Sequence, residues 1–256
     1  MYMKILASYD VDPEMDPKLL PLNQKMLKKV AILQSNYIPW KGYFDLIQSV
    51  NTFVIYDRVQ FTKNDWRNRN KLIINGKANW ITVPVLHKNL AQTIEETTVA
   101  NPKWASKHWK TIEQAYSKAR YFKIYAERLK ETYIQLSTET HLSKINMALI
   151  MLICDFLDIR TEIITDNRFD LPENRVDKLV TICKETGAST YVSGPAAKSY
   201  IDEERFHESG INLEWMDYSH YPQYDQISTE FDHFVSVLDL LFCYGPDFQG
   251  YIRGEK

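Results

Sequence analysis

A chain of 256 residues, 45% hydrophobic and 25% charged, is long enough to bury a sizeable core and has the balance of an ordinary globular protein. Its formal charge of −2 offers no basic field to displace counterions from nucleic acid, which argues against a general nucleic-acid binder. Cys154, Cys183 and Cys243 lack metal-ligand spacing and suit a reduced, cytoplasmic protein. No apolar run reaches the roughly 18 residues of a membrane span.

The first 26 residues carry scattered charges and prolines in place of a signal peptide's apolar segment, and they predict a loosely held arm. A single α/β domain is expected over 27–256. The apolar run 30–33 predicts a first strand and 34–37 a polar loop. Pro39 is expected at the first helical position, with Trp40, Tyr43, Phe44 and Ile47 at helical spacing behind it. A second strand is predicted over 52–56, ending in Asp57, Arg58 and Gln60. Residues 71–74 and 78–85 flank Asn75-Gly76, a pair that supplies the positive φ angles of a tight hairpin. One further short strand is expected within 93–99.

Three helices follow, over 102–119, 122–136 and 142–157. The last is apolar almost all round, the mark of a deeply buried helix, with a cap expected from Ser137, Thr138 or Glu139. The chain then returns to α/β alternation: strand 161–164, helix 174–185, strand 189–192, strand 211–216, and a helical or mixed segment at 231–241. The expected fold is therefore α/β, a mixed, largely parallel open sheet in two halves with a central helical section at 102–158.

Open sheets of this kind bind ligands at the carboxyl ends of adjacent strands, so the polar turns there are the candidate site. Gln34, Asn36, Tyr37 and Trp40 follow the first strand. If 66–70 is extended, Arg67 and Arg69 share one face and can clamp a diphosphate, with Trp66 and Asn68 on the other face. Asp57 is a candidate base and Lys63 a candidate oxyanion or phosphate partner, with Gln60 between them. Ser193 and Gly194 form a second crevice element, and His220 with Gln223 lies on the turn after 211–216. No Walker, Gly-x-Gly-x-x-Gly or Gly-x-Ser-x-Gly motif occurs, and no spacing requires a metal.

Three stretches, LQSNYIPWKGYFDLI, FVIYDRVQFTKNDWRNRNKL and NWITVPV, resemble the WbqC-like protein family, and the resemblance runs from about residue 27 to the C-terminus. It implies a role among the genes of bacterial O-antigen and related polysaccharides, namely transfer of an acyl or aminoacyl group such as glycine onto a sugar. The expected substrate is then a nucleotide-linked amino sugar, and the expected donor a coenzyme A or acyl-carrier-protein thioester. Asp57 or His220 would take the amine proton. Two alternatives stand beside this: a non-catalytic sugar-nucleotide binding or scaffold protein, and a nucleotidyl transferase. For the latter, Tyr37 to Trp40 replace the His-x-x-His that such chemistry uses.

Overall fold

The computed structural model describes residues 27–253, and the arm expected at 1–26 lies outside the described residues. In chain order, β1 (Lys29–Leu33), α1 (Lys41–Gln48) and β2 (Thr52–Ile55) precede the hairpin β3 (Arg69–Ile74) and β4 (Lys77–Thr82) and a short pair, β5 (Val85–Leu86) and β6 (Thr98–Val99). Helices α2 (Trp104–Tyr116), α3 (Phe122–Leu136) and α4 (Leu142–Phe156) follow. The last section comprises β7 (Glu162–Thr165), α5 (Arg175–Glu185), β8 (Thr190–Ser193), α6 (Glu203–Glu208), β9 (Asn212–Trp215), α7 (Val237–Tyr244) and α8 (Gln249–Arg253).

Five of the strands form one parallel sheet in the order β7-β2-β1-β8-β9. The chain winds outward from β1 in one direction and later in the other, so the gap between the ends of β1 and β8 is a topological switch point. Strand alternation divides the core. Ala31, Phe53, Ile55 and Val192 face a cluster that also holds the apolar faces of α1 to α4 and α7. Val30, Ile32, Val54, Tyr56 and Tyr191 face a second cluster, covered by α5 and α6 through Leu179, Cys183 and Phe206. The helical section 102–158 therefore shares one apolar core with the sheet and with α1 and α7.

The hairpin turns at Asn75 (φ 51°) and Gly76 (φ 74°), the positive angles that Asn-Gly supplies. Its second strand ends at Thr82, short of the expected 85, because Pro84 cannot donate to a ladder and Val85 pairs with Val99 instead. The helix expected from Pro39 begins at Lys41, with Trp40 at the N-cap. Ile38 holds φ at +36°, a strained value for a β-branched residue. The Asn70 amide offsets that strain by donating to the carbonyls of Tyr37 (3.1 Å) and Ile38 (2.9 Å). No hydroxyl caps α4: its N-cap is His141, whose N–H, like that of Thr140, donates to the Glu139 carboxylate at 2.8 Å. Residues 231–236 are irregular, and α7 starts behind the Ser236 cap.

Much of the aromatic content is packing. The Lys41 ammonium lies 4.8 Å from the Tyr221 ring centre and 5.5 Å from that of Tyr224, and it donates to the Pro222 carbonyl at 3.2 Å. Burial lowers its pKa to about 8. The Trp40 ring rests against Tyr218, Tyr221 and Phe234 and over Gly42, where an added Cβ would lie 2.3 Å from the indole. This cluster ties the segment after β9 to α1.

A buried carboxyl anchors the far end of the core. Asp239 accepts from the Tyr116 hydroxyl at 2.9 Å and from the Tyr224 hydroxyl at 2.8 Å. Desolvation outweighs these bonds and raises its pKa from 3.8 to about 6. The folded protein thus holds this proton more tightly than the unfolded chain does. The resulting stability is fully present below pH ~4 and is lost as pH rises to about 6, by about 3 kcal/mol. Asp239→Asn removes that titration. Urea unfolding of both proteins across pH 4–6 will show the wild type losing about 3 kcal/mol relative to the variant, and parallel curves would refute the assignment.

Candidate functional site

Side chains from both halves of the chain meet at the switch point. A cavity of about 580 Å³ lies there, lined by Leu33 and Gln34 after β1, by Tyr56, Gln60 and Thr62 after β2, and by Ser193 and Gly194 after β8. Glu173, just before α5, Arg175 and Lys178 at its start, and Tyr200 complete the polar lining. The volume falls in the range of small-ligand sites. Neither Arg175 nor Lys178 forms an ion pair among the described residues; the Arg175 guanidinium instead lies 3.6 Å from the Tyr200 ring centre. Two cations outside any ion pair, together with amide and hydroxyl groups and the single carboxylate of Glu173, suit an anionic, hydroxyl-bearing ligand.

The polar turn after β1 is held from behind by a buried network. The Asp57 carboxylate accepts from the Ser35 backbone N–H at 2.8 Å and from the Ser143 hydroxyl of α4. One helical turn on, Asn146 donates to the Ser35 hydroxyl (3.1 Å) and to the Arg67 carbonyl (2.8 Å). Arg67 then reaches back, donating from Nη1 to Asn36 Oδ1 at 2.6 Å and from Nη2 to Gln34 Oε1 at 3.3 Å. Asp57 is 3% exposed, and burial raises its pKa against the opposing pull of Ser143, Ser35 and Arg67. It borders a neighbouring cavity of about 520 Å³, between the ends of β2 and β7, and not the one at the switch point.

Of the residues expected from sequence, Gln34, Gln60, Ser193 and Gly194 line the switch-point cavity, and Asn36 and Arg67 join it through the hydrogen bonds to Gln34. Other expectations need correction. Tyr37 is fully buried, with its hydroxyl 2.7 Å from His108 Nδ1 and 2.6 Å from the Tyr133 hydroxyl. Burial also drives the His108 pKa down to about 4, so its ring is neutral at physiological pH. Asn68 is buried and donates to the Val83 carbonyl at 3.0 Å. Trp40 belongs to the aromatic cluster on α1. Residues 66–68 form a turn, so Arg67 and Arg69 do not share a strand face. Arg67 faces the β1 turn, whereas the Arg69 guanidinium stacks 4.0 Å from the Trp80 ring centre. Lys63 is exposed outside the cavity lining, Gln223 is exposed, and His220 pairs with Asp217 at 3.0 Å beside a different surface hollow.

A sequence model of the WbqC-like protein family matches residues 34–250. The chain belongs to the WbqC-like protein family. It is also similar to "Uncharacterized protein Rv1507c" of Mycobacterium tuberculosis (strain ATCC 25618 / H37Rv), 43% identical over 228 residues, which cover 89% of this chain and 98% of the relative. No solved structure matches the chain. In this WbqC-like protein no described helix is long and apolar enough to cross a membrane, and no group of three or more His, Cys, Asp or Glu suited to hold a metal ion occurs among the described residues.

Sequence reading missed Arg175, Lys178, Tyr56, Tyr191 and Tyr200, which line this cavity. One signal was available for the first two. Cations in the opening turn of a helix oppose its macrodipole, and Arg175 and Lys178 both follow the Asn174 cap, which accepts from Val176 N–H at 2.9 Å, while the turn's one acid, Asp177, is paired with Arg205. Placement against the dipole is a reason to look for an anion nearby.

The network makes a stability prediction. Asp57→Ala leaves the Ser35 N–H and the Ser143 hydroxyl without their acceptor, and is expected to cost about 3 kcal/mol. Urea unfolding will show a lower midpoint with an unchanged slope; a loss below ~0.5 kcal/mol would contradict the central position given to this carboxylate.

Proposed function

We propose that this WbqC-like protein is a transferase that joins an acyl or aminoacyl group, such as glycyl, to the amine of a nucleotide-linked amino sugar in bacterial surface-polysaccharide synthesis. The observation that carries the reading is the pair of unpaired cations, Arg175 and Lys178, on the wall of a cavity at the switch point of a parallel sheet. Open sheets receive phosphorylated ligands at that place. Arg175 and Lys178 hold the diphosphate, Gln34, Gln60 and Ser193 bind hydroxyl groups, and Gly194 allows close backbone approach.

In the transfer the amine nitrogen attacks the carbonyl carbon of the donor. The C–N bond forms as the bond to the leaving group breaks, and the proton lost from nitrogen passes to that leaving group. With a coenzyme A or carrier-protein thioester the leaving group is a thiolate. Glu173 is the carboxylate on the cavity wall and is the group proposed to relay the proton. Asp57 is assigned to positioning, since both of its oxygens are engaged behind the β1 turn.

A non-catalytic sugar-nucleotide binding protein is the second reading. It is favoured by the place of Asp57 outside the cavity, whose lining holds one carboxylate, Glu173. Both readings require the cavity to bind a nucleotide-linked sugar.

Arg175→Ala combined with Lys178→Ala is expected to weaken such binding about 100-fold or more in calorimetry, from the loss of two charge-assisted contacts. Unchanged affinity would remove the basis of both readings. Incubation with a nucleotide-linked amino sugar and an acyl or aminoacyl thioester separates them, by mass spectrometry of the amide product. Product that fails to form in Glu173→Gln supports the transferase, and tight binding with no product in the wild type supports the binding protein.

A further inference from the structure

The outward face of the β3–β4 hairpin carries a group of side chains outside the switch-point cavity. Alternation turns Asn70, Leu72 and Ile81 inward, all buried, and leaves Arg69, Lys71 and Trp80 on the other face. Trp80 pairs with Lys71 across the hairpin and is 44% exposed. Trp66 meets it from the preceding turn, with ring centres 5.1 Å apart at 48°. The Arg69 guanidinium covers part of the indole at 4.0 Å from the ring centre. Its Nε is buried with no hydrogen-bond partner, and Arg69 forms no ion pair among the described residues.

Charge around the two tryptophans is one-sided. Arg67 and Lys71 are balanced by Asp65 and Asp232. Arg69 has no counter-charge within ion-pair distance among the described residues, whereas Lys77 falls with Ile81 on the opposite face of the hairpin. An indole offers a flat, polarisable face to the C–H side of a pyranose ring, and a planar guanidinium clamps a carboxylate bidentately. Continuity with the cavity runs through one residue, since Arg67 touches Gln34 of the cavity lining.

We infer that the Trp66–Trp80–Arg69 face of the hairpin is a docking surface for an acidic saccharide, with a sugar ring stacked on Trp80 and its carboxylate held by Arg69. The inference does not depend on the transfer reaction proposed for the cavity. An open, flat surface of this kind suits an extended chain of sugars, whereas the cavity suits a compact ligand.

The test is a calorimetric titration of the whole protein with hexameric oligogalacturonate, with maltohexaose and a six-nucleotide single-stranded DNA as comparisons. Saturable binding of the uronate oligomer is expected, weakened at least tenfold in Trp80→Ala and in Arg69→Gln, and weaker for neutral maltohexaose. Arg69→Gln retains the hairpin's packing, and thermal unfolding of both variants establishes that each is folded. Both variants should bind a nucleotide-linked sugar in the cavity as the wild type does, so failure here is distinct from failure of the cavity reading. No binding of the uronate, binding that both variants retain, or binding of the DNA alone would overturn the proposal. Loss of nucleotide-sugar affinity in Trp80→Ala would also overturn it, because the platform would then be part of the cavity's ligand site.

Discussion

The carboxylate of Asp57 is the constraint on which the edge of this sheet depends. It sits at the end of β2 and accepts from the first residues of the β1 turn and from α4, so three elements far apart in sequence are fixed at one point. Asn146 extends the same bolt by one helical turn and fixes the backbone at Arg67. Arg67 in turn holds Asn36 and Gln34, and Gln34 is a wall of the cavity. A buried carboxyl so placed is tolerable only because its oxygens are hydrogen-bonded. The benefit is rigidity at the loop that lines the cavity, and pre-organised loops bind with less ordering cost.

The two faces of the sheet divide the work. The face toward α1 to α4 and α7 is a large aromatic and aliphatic core, in which Tyr37, His108 and Tyr133 satisfy one another. The face toward α5 and α6 is smaller, and the cavity opens from it between Tyr56 and Tyr191. The tyrosines around that cavity do more than fill space. The Tyr200 ring carries the Arg175 guanidinium at its face, which orients a flexible cation without neutralising it.

Most of the fold was legible in the sequence because its elements carry strong periodicity. The hairpin followed from Asn75-Gly76, the buried helix from its unbroken apolar pattern, and the parallel sheet from alternating strand and helix runs. Element ends were less legible, since Pro39 and Pro84 act through their neighbours' geometry: Trp40 caps where Pro39 seemed to begin the helix. The cavity lining divided in the same way. Polar residues at strand ends, such as Gln34 and Ser193, could be found from position alone. Tyr37 and Asn68 looked alike in sequence but turn inward, because a loop's side-chain directions depend on what packs behind it. Arg175 and Lys178 were hidden by a helix that reads as an ordinary amphipathic surface element, and only the strand order brings it to the switch point.

The most direct measurement is a crystal structure of the protein grown with a nucleoside-diphosphate amino sugar. The account requires ligand density between the ends of β1 and β8, with its phosphates within hydrogen-bond distance of Arg175 and Lys178 and its sugar near Gln34 and Ser193. Density at the cavity beside Asp57 and Ser143, or at the His220 hollow, with the switch-point cavity empty, would contradict it.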